Sequence, residues 1–133
     1  MRGIIIPLDI ERRMSVAHQM SDRAVKLANA LLKHHRKFRR DPKYVNQKAV
    51  EHAIITYQKI GTIAGTGWRD IGHLLRDIAE WCDEQGWPPL NALAVSSVTH
   101  EPSKEYDGAG SFQLAQWPYD VRKCIGHRYP NKV

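Results

Sequence analysis

Apolar residues recur at three- and four-residue spacing in several stretches of this chain, and this spacing places side chains on one face of an α-helix. The longest such stretch predicts an amphipathic helix over 13–37. Its apolar stripe must be buried, either against the rest of the chain or against the same helix of a second copy in a homodimer. The stripe comprises Ala17, Met20, Ala24, Leu27, Ala28, Leu31 and Leu32.

Three further helices are predicted in the middle of the chain. Asp41-Pro42 is a helix start signal, because Asp accepts hydrogen bonds from the free amides of a first turn and Pro fits the first helical position. This helix is expected to run to Ala53. A short helix over 57–64, capped by Thr56, precedes a fourth helix over 68–85 that Gly86 ends.

After the fourth helix the pattern changes from helical to extended. The stretch 90–98 is small, apolar and partly β-branched, which predicts a buried strand. Glycine and proline in 99–111 predict a flexible hairpin, and Trp117-Pro118 opens a last helix over 119–125. Three helices followed by a strand and a glycine-rich hairpin is the order of a winged helix-turn-helix domain.

We therefore predict a mainly helical α+β fold. Its N-terminal amphipathic helix packs on a small winged helix-turn-helix-like core. Residues 1–40 form a basic helical segment in this prediction, and residues 41–133 form the core with its hairpin.

Three short motifs in this region resemble those of a known family. They are Ile54-Ile55-Thr56-Tyr57, Ile60-Gly61-Thr62-Ile63-Ala64-Gly65 and Arg69-Asp70-Ile71-Gly72. Their order is similar to that in the winged-helix DNA-binding domain of alkylguanine-DNA alkyltransferases and alkyltransferase-like proteins, over about residues 54–110. The resemblance implies that Tyr57 works on the phosphate backbone of DNA. It also implies that Arg69 enters the duplex and fills the gap left by a flipped nucleotide.

The chain departs from this family at the reacting position. The family's reactive cysteine would align with Asn91, and the His-Arg pair that follows it with Ala92-Leu93. An amide is not a nucleophile, and neither Cys82 nor Cys124 is near that position in sequence. We therefore expect no alkyl transfer and no catalytic residue.

Composition limits the class of protein. The chain has 133 residues, of which 42% are apolar, and a formal charge of +6, as is typical of one soluble globular domain. No stretch approaches the roughly 20 apolar residues of a membrane helix, so no membrane partner is expected. Two cysteines cannot form a disulfide framework, which predicts a cytoplasmic protein.

Charge is distributed unevenly along the chain. Residues 1–40 contain ten Lys or Arg against three Asp or Glu, whereas 68–107 contain three against eight. Positive charge returns at the far end with Arg122, Lys123, Arg128 and Lys132. Basic ends around an acidic centre suggest either a polyanion contact through the ends or an acidic face for a basic partner.

The basic stretch 33–40, which we call the arm, is the first candidate site. Its cations could track phosphates and Phe38 could stack on a base, although a solvated helix end has the same composition. With the two residues implied by the resemblance, it predicts a non-enzymatic protein that binds duplex DNA. The candidate residues are Lys33, Arg36, Lys37, Phe38, Arg39, Arg40, Tyr57 and Arg69.

The acidic face of the fourth helix is the second candidate site. His73, Asp77, Glu80 and Glu84 share one helical face. Such a stripe can hold a metal, but it is more often the solvated side of a helix. The alternative function is a small protein-interaction module or inhibitor, such as a phage-encoded one, that docks on a host or regulatory protein. Trp68, Asp77, Glu80 and Glu84 would form its interface.

Sequence signatures of enzymes are not found. Cys124 and His127 could be half of a zinc site, but no second pair is present to complete it. The common nucleotide-binding and hydrolase motifs are also absent. We therefore expect no metal, no cofactor and no enzymatic activity.

Overall fold

The central element of the fold is α1 (Asp22–Phe38). The computed structural model describes residues 20–67, 70–103 and 114–133. Within them, the side chain of Ser21 begins α1 by accepting a hydrogen bond from the Ala24 amide at 3.1 Å. The burial of the predicted apolar stripe is confirmed from Met20 to Leu32, but the helix begins at Asp22 rather than at the predicted residue 13, because Ser21 caps it. The part of the predicted helix before residue 20 lies outside the described residues. Five side chains of the stripe are 0% exposed: Ala24, Leu27, Ala28, Leu31 and Leu32.

Four more helices and one small sheet complete the described part of the chain. The helices are α2 (Gln47–Ala53), α3 (Tyr57–Ala64), α4 (Ile71–Gln85) and α5 (Trp117–Gly126). The strands β1 (Ile55–Thr56) and β2 (Ala94–Val95) pair in parallel, with Ile55 opposite Ala94. The prediction of a mainly helical α+β fold is confirmed. No helix among the described residues has the length and apolar character needed to cross a membrane.

The predicted helix from residue 42 to Ala53 is divided in two. Asp41 caps only a 3-10 turn, Pro42–Tyr44, by accepting from the Lys43 amide at 3.0 Å. The chain is extended at Asn46, whose side chain accepts from the Ala49 amide and begins α2. A second capping residue within the predicted helix therefore starts a new helix, because Asn competes with the backbone for its own hydrogen bonds.

The first helix after α2 has the predicted bounds, whereas the second ends at the predicted residue but begins at Ile71 rather than at 68. Thr56 caps α3 by accepting from the Lys59 amide at 3.2 Å. Gly65 ends α3 with φ 74° and Gly86 ends α4 with φ 73°, the left-handed conformation that glycine adopts without strain. Both helices pack on α1, which buries Ile60 and Ile78 completely.

The predicted strand over 90–98 is much shorter than expected. Residues Leu90–Leu93 form a 3-10 turn, in which the Ala92 amide donates to the Pro89 carbonyl. The stretch is buried as predicted, but only Ala94 and Val95 pair with β1. The carbonyl of Ala92 accepts instead from the Trp117 indole at 2.8 Å. Most of the predicted hairpin over 99–111 lies outside the described residues.

Candidate nucleic-acid interface

The arm comprises the last residues of α1 and the extended residues that follow it. Its five cations are all exposed, namely Lys33, Arg36, Lys37, Arg39 and Arg40. Phe38 is half-buried, packs on the hydrophobic core and lies with its ring centroid 4.8 Å from that of His34. The arm therefore presents its charges to solvent while its aromatic ring anchors it to the core.

Three contacts fix the arm on the rest of the molecule. The ring of His34 donates from Nε2 to the Ala53 carbonyl at 2.6 Å, and that of His35 donates to the Cys124 carbonyl at 2.7 Å. The Arg40 amide donates to the Ile125 carbonyl at 3.1 Å. Because these bonds reach α2 and α5, the arm is part of the folded core.

The histidines near the arm are structural and electrically neutral. Burial lowers the pKa of His34 and of His35 most strongly, and the neighbouring Lys37 and Arg39 lower them further. The pKa of His127 is lowered by burial and by Arg39. The two histidines within the arm thus tie it to the core, a role that the sequence pattern did not indicate.

No described carboxylate neutralises the arm. The ion pairs among described residues are Arg23 with Asp70 at 3.1 Å and Arg76 with Glu80 at 4.0 Å. Within the same residues, no Asp or Glu pairs with any of the five arm cations. Within the described ranges, the arm is therefore a concentration of positive charge with no paired carboxylate.

Tyr57 lies at the start of α3, near the arm end of α1. It is half-buried, and its hydroxyl accepts a hydrogen bond from the Ser103 amide at 3.0 Å. Burial raises the pKa of this phenol, so its hydroxyl keeps a hydrogen that can be donated to a ligand. The next turn places Lys59 close enough to His34 to lower that imidazole's pKa.

Arg69 and Trp68 lie outside the described residues. The adjacent Asp70 pairs with Arg23, in the first turn of α1. Thirteen residues separate Arg23 from Arg36, a rise of about 20 Å along a helix. Asp70, just before α4, therefore lies at one end of α1, whereas the arm lies at the other.

The acidic face on α4 has the helical spacing that the sequence predicts. Asp77 is half-buried and Glu80 and Glu84 are exposed. The guanidinium of Arg76 pairs with Glu80, one turn away. No three His, Cys, Asp or Glu side chains in the described ranges are grouped to hold a metal ion.

Asn91 and both cysteines are inside the protein. Asn91 is 4% exposed, in the 3-10 turn before β2. Burial raises the pKa of Cys82 to about 12 and also raises that of Cys124, whose thiol donates to the Pro89 carbonyl at 3.0 Å. A thiol that stays protonated at neutral pH is a poor nucleophile, so both cysteines serve packing.

Comparison of the chain with protein-family models, with curated proteins and with solved structures finds no match.

Proposed function

We propose that this protein is a non-enzymatic DNA-binding protein whose arm holds the phosphates of a duplex. The observation that carries the proposal is the group of five exposed cations within eight residues, with no described carboxylate paired to them. Phosphate contacts of this kind supply most non-specific affinity for DNA. They position the protein on the duplex without reading its sequence.

The fixed position of the arm supports the proposal. A disordered basic tail must lose conformational entropy when it binds, whereas the helical arm is already ordered by its contacts to Ala53, Cys124 and Ile125. Ordering each long side chain costs only about 0.5–1.5 kcal/mol. The backbone of the arm therefore needs no further ordering when it binds, and only its side chains do.

In the same proposal, α3, α4 and the turn between them act as a winged helix-turn-helix-like unit. Tyr57 would donate its hydroxyl hydrogen to a phosphate, and Arg69 would enter the duplex. The support is the order of α3 and α4 along the chain, with Gly65 ending α3 before α4 begins, together with the resemblance of residues 54–110 to alkyltransferase-like proteins. Phe38 would add a partly exposed ring next to the phosphate contacts.

The salt dependence of duplex binding tests the arm. We would replace Lys37, Arg39 and Arg40 by Gln, which leaves the histidine contacts in place. Each lost phosphate contact lowers the slope of log K against log salt by about 0.9, so the triple variant should lose about 2.7. Fluorescence anisotropy of labelled duplex across a salt series measures this slope.

A charge-matched control separates the arm from net charge. Gln at Lys48, Arg76 and Lys123 removes the same formal charge from three separate helices and should leave the slope unchanged. Equal losses in both triple variants would mean that net charge, rather than the arm, drives binding. Absence of duplex binding by the wild-type protein at low salt would end the proposal.

The helix-turn-helix contribution has its own test. Arg69→Ala should weaken duplex affinity and reduce the distortion of the DNA, measured with 2-aminopurine in the duplex. Tyr57→Phe should weaken affinity while leaving 2-aminopurine fluorescence in the complex unchanged. If Arg69→Ala changes neither affinity nor distortion, the protein binds DNA through the arm without this mechanism.

A second candidate function is docking of a basic host or regulatory protein on α4. The observation that favours it is the exposed acidic pair of Glu80 and Glu84, beside Asp77 on one helical face. Trp68 would anchor such an interface. Charge reversal to Lys at these three carboxylates should abolish capture of the partner. Retained capture would exclude this function.

A further inference from the structure

Two exposed cations lie beside the arm although they are far from it in sequence. Arg128 and Lys132 belong to the 127–133 segment, which follows α5. The guanidinium of Arg36 donates to the Asn131 carbonyl at 2.6 Å. The Val133 amide donates to the Asn29 side chain at 2.7 Å. Two hydrogen bonds therefore hold this segment on α1.

The spacing of these contacts shows how the segment runs. Asn29 and Arg36 are seven residues apart, about two helical turns, and so lie on the same face of α1. Lys33 is four residues after Asn29 and three before Arg36, and it shares that face. Residues 131–133 thus run along the exposed face of α1, which places Lys132 in the same region as Lys33.

The other end of the segment is anchored in the core. Tyr129 is 7% exposed, donates its hydroxyl to the Pro88 carbonyl at 2.6 Å and meets the His35 ring edge-on at 4.8 Å. Its ring also lies 4.5 Å from that of His127, whose pKa is lowered by Arg39. In the sequence, Arg128 stands between His127 and Tyr129, and its side chain is exposed.

We infer that Arg128 and Lys132 complete the phosphate-binding surface of the arm, so that two distant chain segments hold one nucleic-acid backbone. The inference rests on the proposed function. Residues 121–133 contain no Asp or Glu, so the segment adds positive charge without neutralising the arm. Guanidinium groups from both segments, at Arg36 and Arg128, suit phosphate because they donate paired hydrogen bonds in a fixed plane.

The exposed apolar side chains favour nucleic acid over an anionic membrane. A surface helix that binds lipid also inserts large apolar residues beside its cations. The large hydrophobic residues exposed in the described part of the chain are Tyr44, Ile63, Val98 and Tyr119, and none is in the arm or in 127–133. The surface therefore has the charge for a phosphate backbone without the apolar groups for a bilayer.

Removal of the two charges tests the inference. The double variant Arg128→Gln, Lys132→Gln should lower the slope of log K against log salt for duplex DNA by about 1.8, or 0.9 for each contact. The matched double variant Lys48→Gln, Arg76→Gln should keep the wild-type slope. Thermal unfolding of both variants verifies that the fold is retained.

The outcomes distinguish this inference from the proposed function. If the arm triple variant loses slope and the Arg128, Lys132 variant does not, the arm binds DNA alone and the inference is wrong. If the wild-type protein does not bind duplex, both ideas fail. Cosedimentation with phosphatidylserine vesicles but no binding to duplex would identify a membrane surface instead, and would also overturn the inference.

Discussion

Two exposed, charged regions of the molecule are built differently. One is the acidic face of α4, and the other is the surface formed by the arm with Arg128 and Lys132, which we call the cationic surface. The acidic face comes from one helix, and a cation is mixed into it, since Arg76 pairs with Glu80. The cationic surface combines α1 with the 127–133 segment, which is distant in sequence, as the bond between Arg36 and Asn131 shows. The acidic face is partly compensated within its own helix, whereas the arm cations have no described carboxylate paired to them and would gain more from an oppositely charged partner.

The two regions also differ in how they join the core. The acidic side chains lie on the opposite side of α4 from its apolar stripe, and Glu80 pairs there with Arg76. The cationic surface includes the neutral His35, which is 3% exposed. Folding thus buries an uncharged imidazole close to the charged Arg39, so a residue that stabilises the fold lies next to the exposed cations.

The largest expected effect comes from removing the His35 side chain, which joins the arm to α5. His35→Ala deletes the hydrogen bond to the Cys124 carbonyl and the contact with Tyr129, and it leaves a cavity. We expect a loss of about 2–4 kcal/mol in the free energy of unfolding, measured by urea denaturation. His52→Ala, at an exposed position on α2, is the control and should stay within about 0.5 kcal/mol of wild type. Similar losses in the two variants would contradict this role for His35.

Acidification should lower the free energy of unfolding through the histidines in this region. The pKa values of His34, His35 and His127 are lowered in the folded protein, so the unfolded chain takes up protons first as pH falls. Their contribution to stability is therefore complete above about pH 6.5 and is lost as pH falls from there through the folded pKa values. Denaturation at pH 7.5 and 5.5 measures this loss, and His35→Gln should reduce it. An increase in stability at the lower pH would contradict the prediction.

The elements that depend on neighbours in sequence could be predicted, and those that depend on distant contacts could not. Thr56 and Gly65 bound α3 at the predicted residues, because a cap and a left-handed glycine act within one turn. The acidic face followed in the same way from its spacing. The stretch 90–98 was predicted correctly as buried but not as mainly a 3-10 turn, since Ala92 bonds to the indole of Trp117, which sequence spacing does not reveal.

The candidate sites show the same limit: groups of charges near in sequence could be predicted, and contacts between distant segments could not. The charge pattern identified the arm and the basic far end separately. It did not show that Arg36 reaches Asn131, because hydrophobic periodicity carries no information on how two segments pack. The structural role of His34 and His35 was not predicted for a related reason: their hydrogen bonds reach Ala53 and Cys124, which are distant in sequence.

A smaller effect should follow from adding a methyl group where the end of α5 packs on the residues just after the arm. Gly126 ends α5, and a Cβ there would lie 2.8 Å from Cγ of Pro42, just after the arm. A proline ring gives way poorly, so Gly126→Ala should cost about 1–2 kcal/mol despite the better helix propensity of Ala. Gly72→Ala, where a Cβ meets nothing within 4 Å, is the control and should be neutral or stabilising. Thermal unfolding compares the two, and a neutral Gly126→Ala would show that this junction can adjust.

The smallest effect tests the comparison directly, by neutralising the acidic face. Asp77→Asn, Glu80→Gln and Glu84→Gln together remove three negative charges from α4 without touching the cationic surface. If the cationic surface binds DNA, these carboxylates repel it only at a distance, and screening over about 10 Å at 0.1 M salt limits their effect. Duplex affinity should then rise by less than about tenfold, with the largest gain at low salt.

The same variant separates the two proposed functions. A DNA-binding protein gains affinity for duplex when its acidic face is neutralised, whereas a protein that docks a basic partner through that face loses the partner. A fall in duplex affinity would mean that α4 itself touches DNA through these side chains. The cationic surface would then be only one part of the interface. The presence or absence of paired opposite charges would no longer identify the binding site.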